Sequence, residues 1–562
     1  MRKLLGLALL ASACRSTPAP PAPSAPDVTA TETRSGATGA HGMVASDAPL
    51  ASQAGVEIMK AGGNAVDAAV AVGFALAVVY PEAGNLGGGG FTVVRMADGR
   101  VASIDYREVA PLAATRDMFL DDSGRLTRKS VVGPLASGVP GSVAGLVAQH
   151  QRFGQLPLSR VLGPAIRIAE EGFDVDSALA ASFARDAGLI TQFAGSAVYV
   201  PNGQPLPLGA RLRQPALART LHAIADSGAG AFYGGAIGRS VADDLHAAGS
   251  IITADDLARY KPQWREPLRA TYHGHTLVTM PPPGSGATLI EALNILEPFE
   301  IVPPGSARSA HLLAASLQRA FIDRNSLVAD PAFAKVPVDH LTDKSYAAKL
   351  RASIGTQATA TPAVTTTMRE GSHTTAYSVV DAAGNAVSTT TTLNELFGSG
   401  VYLPSVGIFM NDEMDDFAAQ PGKPNVFGLV QGEQNAIQPG KRMLSSMLPS
   451  IVLDRAGRPL LLVGGRGGPR IISGVMQTIV NVIDHHMTLG DAIDAPRVHH
   501  QALPDTLRYE AGFPAAALDT LRAMGYATKP IPTVASINGI LRTATGWTGY
   551  SDRRSGGRPA GY

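Results

Sequence analysis

A threonine-rich stretch in the C-terminal half of the chain has residue types that could do chemistry. Residues 371–381 place Thr374 at the start of an alternating, strand-like run, and a second such run follows from Asn385 to Leu393. A threonine hydroxyl is a weak nucleophile unless a base takes its proton, and an N-terminal threonine can use its own α-amine. That amine titrates near pH ~8, so part of it is uncharged at neutral pH. An internal Thr374 would gain such an amine only by cleavage after His373.

The turn between the two runs predicts which residues face each other. Ala382-Ala383-Gly384 fits a three-residue loop with glycine in the left-handed position, which pairs Asp381 with Asn385. Paired residue numbers in an antiparallel ladder keep a constant sum, so Thr374 lies opposite Thr392 and the two hydroxyls could bond. A slip of one residue would remove this contact. The pattern alone favours an inert hairpin, because threonine is common in strands.

Composition limits the class of protein. The chain has 562 residues, of which 45% are hydrophobic and 17% charged, and its formal net charge is +1. These values indicate a globular body with a large core and no basic field for nucleic acid. The single cysteine, Cys14, excludes an intrachain disulfide and a multi-cysteine metal site.

The N-terminus has the features of an export signal. A basic start at residues 1–3, an apolar run at 4–10 and small residues at 11–13 precede Cys14. This segment resembles a bacterial lipoprotein signal with Cys14 as the lipidated residue, and a plain A-x-A cleavage site is the alternative. The proline-rich residues 14–35 predict a tether that holds the body off a membrane.

Hydrophobic periodicity predicts the main elements of the body. Strands are expected at 40–46, 91–96 and 101–106, and the last of these delivers Arg107, which is well placed to bind a carboxylate. Helical patterns dominate from residue 141 to about 360. Predicted helices are 47–60, 65–79, 142–153, 162–171, 212–226 and 287–296.

Three other motifs have competing explanations. The glycine run at 84–90 lacks the Lys-Ser/Thr of a phosphate loop and precedes a strand, so it predicts close backbone packing. Ser285 lies in a Pro-Gly loop without the G-x-S-x-G spacing, which favours a loop cap over a nucleophile. The acidic residues at 412–416 could hold Ca²⁺, but no glycine turn lies among them. The histidine pairs 485–486 and 499–500 are adjacent in sequence, which disfavours joint metal binding.

Ordered motifs over the whole body resemble the γ-glutamyltransferase (γ-glutamyltranspeptidase, glutathione hydrolase) family of N-terminal-nucleophile hydrolases. They comprise residues 41–45, 62–69, 84–91 and 105–108, the Thr374-Thr375 hairpin, and residues 411–417, 444–447, 467–468 and 495–497. The resemblance implies an α+β fold, a four-layer αββα sandwich made of a large and a small subunit cut from one precursor. It implies a signal peptide at 1–13, a lipidated tether at 14–35, a large subunit at 36–373 and a small subunit at 374–562.

The resemblance assigns the catalytic roles. Thr374 is implied as the nucleophile of both self-cleavage, after His373, and catalysis, with Thr392 supporting its activation. The backbone N–H groups of Gly467 and Gly468 are implied as the oxyanion hole, since a Gly-Gly turn presents donors without side-chain interference.

The same resemblance assigns the binding of a γ-glutamyl head group, which carries one carboxylate and one ammonium. A site for it needs an arginine fork and paired carboxylates. The implied carboxylate ligands are Arg107, Ser445 and Ser446. The implied ammonium ligands are Asn394, Glu413 and Asp416.

The implied activity is cleavage of glutathione-like substrates through a γ-glutamyl-threonine ester, with transfer to water, amino acids or peptides. No metal or organic cofactor is implied, and the enzyme is expected in the periplasm, lipid-anchored, as a heterodimer of its two fragments. The alternatives are a glutaryl or cephalosporin-type acylase of the same superfamily and an inactive envelope binding protein.

Four residues depart from the family pattern. Ala376 stands where bacterial relatives often have histidine, and Met443 and Arg466 replace prolines before the serine pair and the glycine pair. Phe427 replaces the tyrosine of the loop that covers the site in many bacterial members, which predicts a looser lid. None of the four removes an implied catalytic group.

Overall fold

Two seven-stranded β-sheets lie face to face in the computed structural model, which describes residues 36–361 and 374–562. All strand pairs within these sheets are antiparallel. The first sheet contains, in spatial order, Gly36–Gly39, Gly546–Ser551, Ser536–Thr543, Pro459–Arg466, Ser450–Leu453, His275–Thr279 and Leu268–Tyr272. The second contains Ala560–Gly561, Gly42–Ala45, Thr375–Asp381, Ala386–Thr392, Gly89–Arg95, Val101–Asp105 and Gln263–Arg265.

A helical layer covers the outer face of each sheet, which confirms the αββα sandwich. The layer on the second sheet includes Pro49–Lys60, Ala65–Val79, Ser142–Phe153, Leu158–Glu171 and Pro215–Ser227. The layer on the first sheet includes Gly286–Leu296, Ala307–Leu327, Arg470–Ile483 and Leu489–Asp494. Within the described ranges, no helix is long and apolar enough to cross a membrane.

Further elements lie around these layers. The other α-helices are Ser177–Gln192, Ser196–Tyr199, Ala229–Tyr233, Ala236–Ala248, Ala254–Arg259, Val338–Thr342, Lys344–Ala352 and Ala515–Ala523. Short strands outside the two sheets are Phe173–Asp174, Arg211–Leu212, Tyr402–Leu403, Ile408–Phe409, Val498–His499, Leu507–Tyr509 and Thr528–Pro530.

The Ala65–Val79 helix has the predicted bounds, and its ends follow from its sequence. Asn64 Oδ1 accepts hydrogen bonds from the N–H groups of Val66 and Asp67, while Asp67 Oδ2 accepts from Asn64 N at 3.0 Å. This capping box satisfies donors that an uncapped first turn would leave unpaired. Every residue of the helix is buried, as expected for a helix that is apolar on all sides. Asp381 Oδ2 accepts from Ala65 N at 2.9 Å, which ties the hairpin turn to this helix.

The prediction that helices dominate residues 141–360 is wrong for one part of that range. Gln263–Arg265, Leu268–Tyr272 and His275–Thr279 are strands, and they form one edge of each sheet. Their pairing partners are distant in sequence, so short-range periodicity did not reveal them. The helices predicted from 47 and 212 begin instead at Pro49 and Pro215, because proline favours the first helical turn.

The glycine run packs backbone against backbone, as predicted. A Cβ on Gly87 would lie 2.1 Å from Phe409 O, and one on Gly88 would lie 2.1 Å from Thr392 O. No side chain fits at such distances. The run therefore lets the Gly89–Arg95 strand lie directly against the end of the Ala386–Thr392 strand.

One end of the sandwich brings the predicted catalytic segments together. Thr374 immediately precedes the Thr375–Asp381 strand, beside the end of the Ala386–Thr392 strand. From the facing sheet, Gly464 approaches Ala376: a Cβ on Gly464 would lie 3.1 Å from the Ala376 Cβ. The Gly467-Gly468 turn follows at the end of that same strand.

Candidate active site

The predicted hairpin register is confirmed. Thr375 pairs with Thr391, Asp381 N donates to Asn385 O at 3.1 Å, and Gly384 has a φ of 84°. This φ is in the left-handed region that glycine adopts without a steric penalty. The pairing places Thr374 opposite Thr392.

The hydroxyls of these two threonines are in contact. Thr374 Oγ1 donates to Thr392 Oγ1 at 3.2 Å, and Asn394 N donates to the same oxygen at 2.8 Å. Both threonine side chains are buried. Two donors therefore converge on Thr392 Oγ1, which holds it in place beside the Thr374 hydroxyl.

Thr374 has a strained backbone. Its φ of 85° is in a region that β-branched residues rarely adopt, and Asn394, also at the site, has a φ of 80°. Such conformations cost about 1–3 kcal/mol each and persist where surrounding contacts impose them. The strain at Thr374 adjoins the peptide bond that is predicted to break.

Two polar residues that the sequence did not single out hold the first residues of this strand. Thr375 Oγ1 donates to Asp47 Oδ2 at 2.8 Å, while Asn538 Nδ2 donates to Asp47 Oδ1 at 3.0 Å and to Ala376 O at 2.8 Å. Asp47 was predicted as a helix residue, but it precedes the helix. Asn538 is buried, and its place between Ile537 and the Ile540-Leu541 pair was the available sequence signal.

Arg107 lies just beyond the Val101–Asp105 strand, as predicted, and is completely buried. Its Nη1 lies 2.5 Å from Glu413 Oε2 and 3.6 Å from Glu108 Oε2, and its Nη2 donates to Asp416 Oδ2. The Tyr260 hydroxyl donates to Arg107 O at 2.8 Å and fixes the backbone. Arg107, the implied carboxylate ligand, therefore forms ion pairs with Glu413 and Asp416, two of the implied ammonium ligands.

Burial dominates the electrostatics of this cluster. It raises the pKa of Glu413 and of Asp416, against the opposing charge of Arg107, and it raises the pKa of Glu108 to about 7. Burial also disfavours the charge on Arg107, but the carboxylates of Glu413, Asp416 and Glu108 more than offset this effect and raise its pKa. Arg107 is thus a permanent cation among carboxyl groups that compete for it.

Ser445 and Ser446 are held by a loop and a helix. Ser445 N donates to Pro283 O at 2.8 Å, and the Ser285 hydroxyl donates to Ser445 O at 2.6 Å. Ser446 Oγ accepts from Arg324 Nη2 at 3.0 Å. Ser285 occupies the N-cap position but makes no capping bond with its side chain, so the predicted loop cap is wrong. Its hydroxyl positions Ser445 instead.

The Gly467-Gly468 turn connects the Pro459–Arg466 strand to the Arg470–Ile483 helix. Its φ values, 134° and 59°, favour glycine at both positions. A Cβ on Gly468 would lie 3.0 Å from the Phe427 ring, so this turn contacts the loop that contains Phe427. Backbone N–H groups at the start of a helix suit a developing negative charge.

Comparison with known proteins identifies the family. The sequence model of the Gamma-glutamyltranspeptidase family matches residues 51–562. The chain belongs to the γ-glutamyltranspeptidase family. It is 44% identical over 525 residues to a protein named glutathione hydrolase proenzyme from Escherichia coli K12, covering 92% of this chain and 90% of the relative.

The chain is also similar to proteins named as acylases. It is 41% identical over 542 residues to a protein named Acylase ACY 1 proenzyme from Pseudomonas sp. V22, covering 93% of this chain and 94% of the relative. The crystal structure of a cephalosporin acylase from Bacillus halodurans matches with a TM-score of 0.84 at 29% identity, over 97% of this chain and 99% of that chain.

The acidic segment of this family member binds protein donors. Asn394 Nδ2 donates to Asp412 O at 3.1 Å, and Asp415 accepts from Ser130 Oγ at 2.7 Å and from Val426 N at 2.9 Å. The contact with Val426 ties the acidic segment to the loop that contains Phe427, whose side chain is buried. In the part of the chain that the structure describes, no group of three or more His, Cys, Asp or Glu side chains could hold a metal ion.

Two predicted sites lie outside the described residues, namely the lipidation site Cys14 and the cleavage-site residue His373. The remaining predicted site residues are all buried. The structure brings Thr374 together with Thr392, and Arg107 together with Glu413 and Asp416.

Proposed function

We propose that the protein is a self-processing γ-glutamyltransferase and glutathione hydrolase that uses Thr374 as its nucleophile. The observation that carries this proposal is the 3.2 Å contact between the Thr374 and Thr392 hydroxyls, at a residue with a strained backbone. In self-cleavage, Thr374 Oγ1 attacks the carbonyl carbon of His373, and the C–N bond breaks as the hydroxyl proton passes to the departing nitrogen, which gives an ester and the free α-amine of Thr374. Water then hydrolyses this ester, which releases the His373 carboxylate and restores the Thr374 hydroxyl.

In catalysis, that α-amine takes the Thr374 hydroxyl proton as the oxygen attacks the γ-carbonyl of the substrate. The N–H groups of Gly467 and Gly468 stabilise the oxyanion, and the resulting ammonium returns its proton to the leaving amine. A γ-glutamyl ester remains on Thr374. Water releases glutamate from it, or an amino acid or peptide amine takes the γ-glutamyl group.

The head group of the substrate exchanges partners with the ion pairs that Arg107 makes with Glu413 and Asp416. Its α-carboxylate takes the place of Glu413 and Asp416 on Arg107, with Ser445 and Ser446 as further donors. Its α-ammonium takes the place of Arg107 on the two carboxylates, with help from Asn394. No buried charge loses its partner in either state, which matters because an unpaired buried charge costs several kcal/mol.

Acylase activity is the second candidate, because the chain also resembles an Acylase ACY 1 proenzyme and a cephalosporin acylase. A glutaryl substrate has the carboxylate but lacks the ammonium. It would bind Arg107 and leave Glu413 and Asp416 without a cation. The buried carboxylates therefore favour the γ-glutamyl substrate.

We further propose that the protein is exported to the periplasm and anchored through a lipidated Cys14. Cys14→Ser should release the protein from membranes into the soluble fraction. Equal distribution of wild type and variant would contradict the anchor.

One comparison tests the enzyme proposal. The purified wild type should run on a denaturing gel as two fragments, the smaller being residues 374–562, and should release glutamate from glutathione. Thr374→Ala should remain one intact chain without activity, whereas Thr374→Ser should still be cleaved, because serine keeps the hydroxyl. An intact and inactive wild type would overturn the proposal. Faster turnover of a glutaryl than of a γ-glutamyl anilide would favour the acylase.

A further inference from the structure

Arg324 is a second buried guanidinium at the head-group site, and sequence reasoning did not select it. It lies near the end of the Ala307–Leu327 helix and is 1% exposed. Its Nε donates to Ser285 Oγ at 2.9 Å, its Nη1 to Asn325 Oδ1 at 3.1 Å and its Nη2 to Ser446 Oγ at 3.0 Å. One side chain thus bonds both the loop that holds Ser445 and the hydroxyl of Ser446.

The direction of these hydrogen bonds is fixed by chemistry. A guanidinium has only donors, so both serine oxygens must accept from Arg324, and each hydroxyl proton must point elsewhere. The Ser285 proton goes to Ser445 O at 2.6 Å. Among the described residues, Ser446 Oγ has no protein acceptor for its proton, and Ser446 keeps 8% of its surface exposed. Its proton is therefore available to a ligand.

We propose that Arg324 is a positioning residue that fixes Ser446 as a hydrogen-bond donor to the α-carboxylate of the substrate and, through Ser285, holds Ser445 in register beside it. This inference rests on the proposed function, in which both serines bind that carboxylate. Without Arg324, the Ser446 hydroxyl could rotate and present a lone pair to the carboxylate. Two oxygen lone pairs facing each other repel, so the substrate would bind more weakly.

The surrounding backbone supports this assignment. Ser445 N donates to Pro283 O at 2.8 Å, and Ser285 N donates to Met447 O at 3.1 Å. The proline-rich loop and the serine segment are thus joined by two backbone bonds, and Arg324 connects the pair of segments to the helix. A rigid support of this kind reduces the cost of ordering the site when substrate binds.

The charge of Arg324 also favours an anion at this position. Burial lowers the pKa of its guanidinium to about 10, against the opposing charge of Asp416, and the group remains a cation at neutral pH. Arg107 and Asp416 both lie within its electrostatic range. Arg324 therefore attracts the carboxylate without contacting it.

The experiment compares Arg324→Met with Arg319→Met, a matched control on the same helix. Arg319 is also buried, but it donates to Ser353 and to Leu350 O, away from the site. With a γ-glutamyl anilide, Arg324→Met should raise KM about tenfold or more while kcat changes less than about threefold. Arg319→Met should leave KM unchanged, even if it lowers the unfolding temperature.

A double-mutant cycle separates positioning from general support of the fold. If Arg324 acts partly through Ser446, Arg324→Met should raise KM by a clearly smaller factor in a Ser446→Ala background than in the wild type, and the remaining effect comes from Ser445 and from the lost charge. Arg324→Lys keeps the positive charge but loses the forked guanidinium donors, so its KM should lie between those of the wild type and Arg324→Met. This variant serves as the test if Arg324→Met does not fold. If the KM effects of Arg324→Met and Ser446→Ala multiply in the double variant, or if Arg324→Lys has the KM of the wild type, the inference is overturned. An inactive wild type would instead refute the proposed function.

Discussion

The Thr374 hairpin and the proposed head-group site around Arg107 differ in how far along the chain their contacts reach. Thr374 and Thr392 are 18 residues apart and are joined by one tight turn. Arg107 binds Asp416 across 309 residues, and Ser446 binds Arg324 across 122. A short-range contact follows from counting residues around a turn, whereas the long-range contacts exist only once both sheets and both helical layers have assembled.

The two regions also differ in their chemistry. The two strands of the hairpin are linked near Thr374 by neutral hydroxyl groups, and the backbone is strained at Thr374 and at Asn394. The head-group site contains buried charges, which are stable only while each has a partner. We therefore expect substitutions in the hairpin to affect bond making, and substitutions around Arg107 to affect substrate affinity and folding.

The largest expected effect separates self-cleavage from substrate binding. Arg107→Met removes the cation that Glu108, Glu413 and Asp416 share, and it leaves these three buried carboxyl groups without a positive charge between them. We expect the unfolding free energy to fall by about 3–5 kcal/mol and kcat/KM for a γ-glutamyl anilide to fall about a thousandfold. The two fragments should still form.

Urea unfolding, steady-state kinetics and a denaturing gel measure these three quantities. Arg116→Met is the control, because its ion pair with Glu433 is partly exposed and such pairs contribute about 0–1 kcal/mol. An Arg107→Met protein that binds substrate normally would mean that this cluster is not the head-group site.

A smaller effect is expected within the hairpin. Thr392→Val removes the hydroxyl that contacts Thr374 while keeping the β-branched shape. We expect kcat to fall about tenfold to a hundredfold, with KM little changed, and self-cleavage to slow in a time course on gels. Thr390→Val on the same strand is the control, since Thr390 Oγ1 is buried and makes no hydrogen bond to any residue that the structure describes, so its loss should not reduce activity. Equal kinetics for the two variants would remove Thr392 from the mechanism.

The charged region should also make the stability of the protein depend on pH. Burial raises the pKa of Glu108 from 4.5 to about 7, so the folded protein holds a proton that the unfolded chain has already lost. Glu108 therefore makes the wild type less stable as pH rises from about 4.5 to about 7, by on the order of 1–3 kcal/mol. Glu108→Gln stays neutral and should gain stability relative to wild type across that window. Urea unfolding at several pH values tests this, and a constant difference would show that Glu108 does not titrate there.

The smallest effect concerns the turn that sets the register. Gly384→Ala introduces a Cβ that would meet no atom within 4 Å, but it must adopt a φ of 84°. We expect a loss of about 1–2 kcal/mol in unfolding free energy, with unchanged kcat. Thermal unfolding and kinetics measure the two quantities. A large loss of activity would mean that the turn does more than set the pairing.

Sequence reasoning succeeded where the causes are local. The bounds of the 65–79 helix and the hairpin register depend on neighbouring residues, and the structure confirms them. It failed for the strands between residues 263 and 279 and for the role of Ser285, because their partners come from distant segments. The position of Arg107 after a strand indicated a carboxylate ligand, but its substrate and the role of the serine pair came from family resemblance, since no spacing in the sequence connects them.

The sequence by itself determined the hydroxyl pair: a three-residue turn with glycine in its left-handed position places Thr374 opposite Thr392. Only the tertiary structure decided how Arg107 is neutralised, that Asp47 and Asn538 hold the start of the Thr375–Asp381 strand, and that Arg324 donates a hydrogen bond to Ser446. The physical reason is range. A turn restricts a few backbone angles within one segment, whereas buried charges and hydroxyls choose their partners only when folding brings distant segments into a common interior.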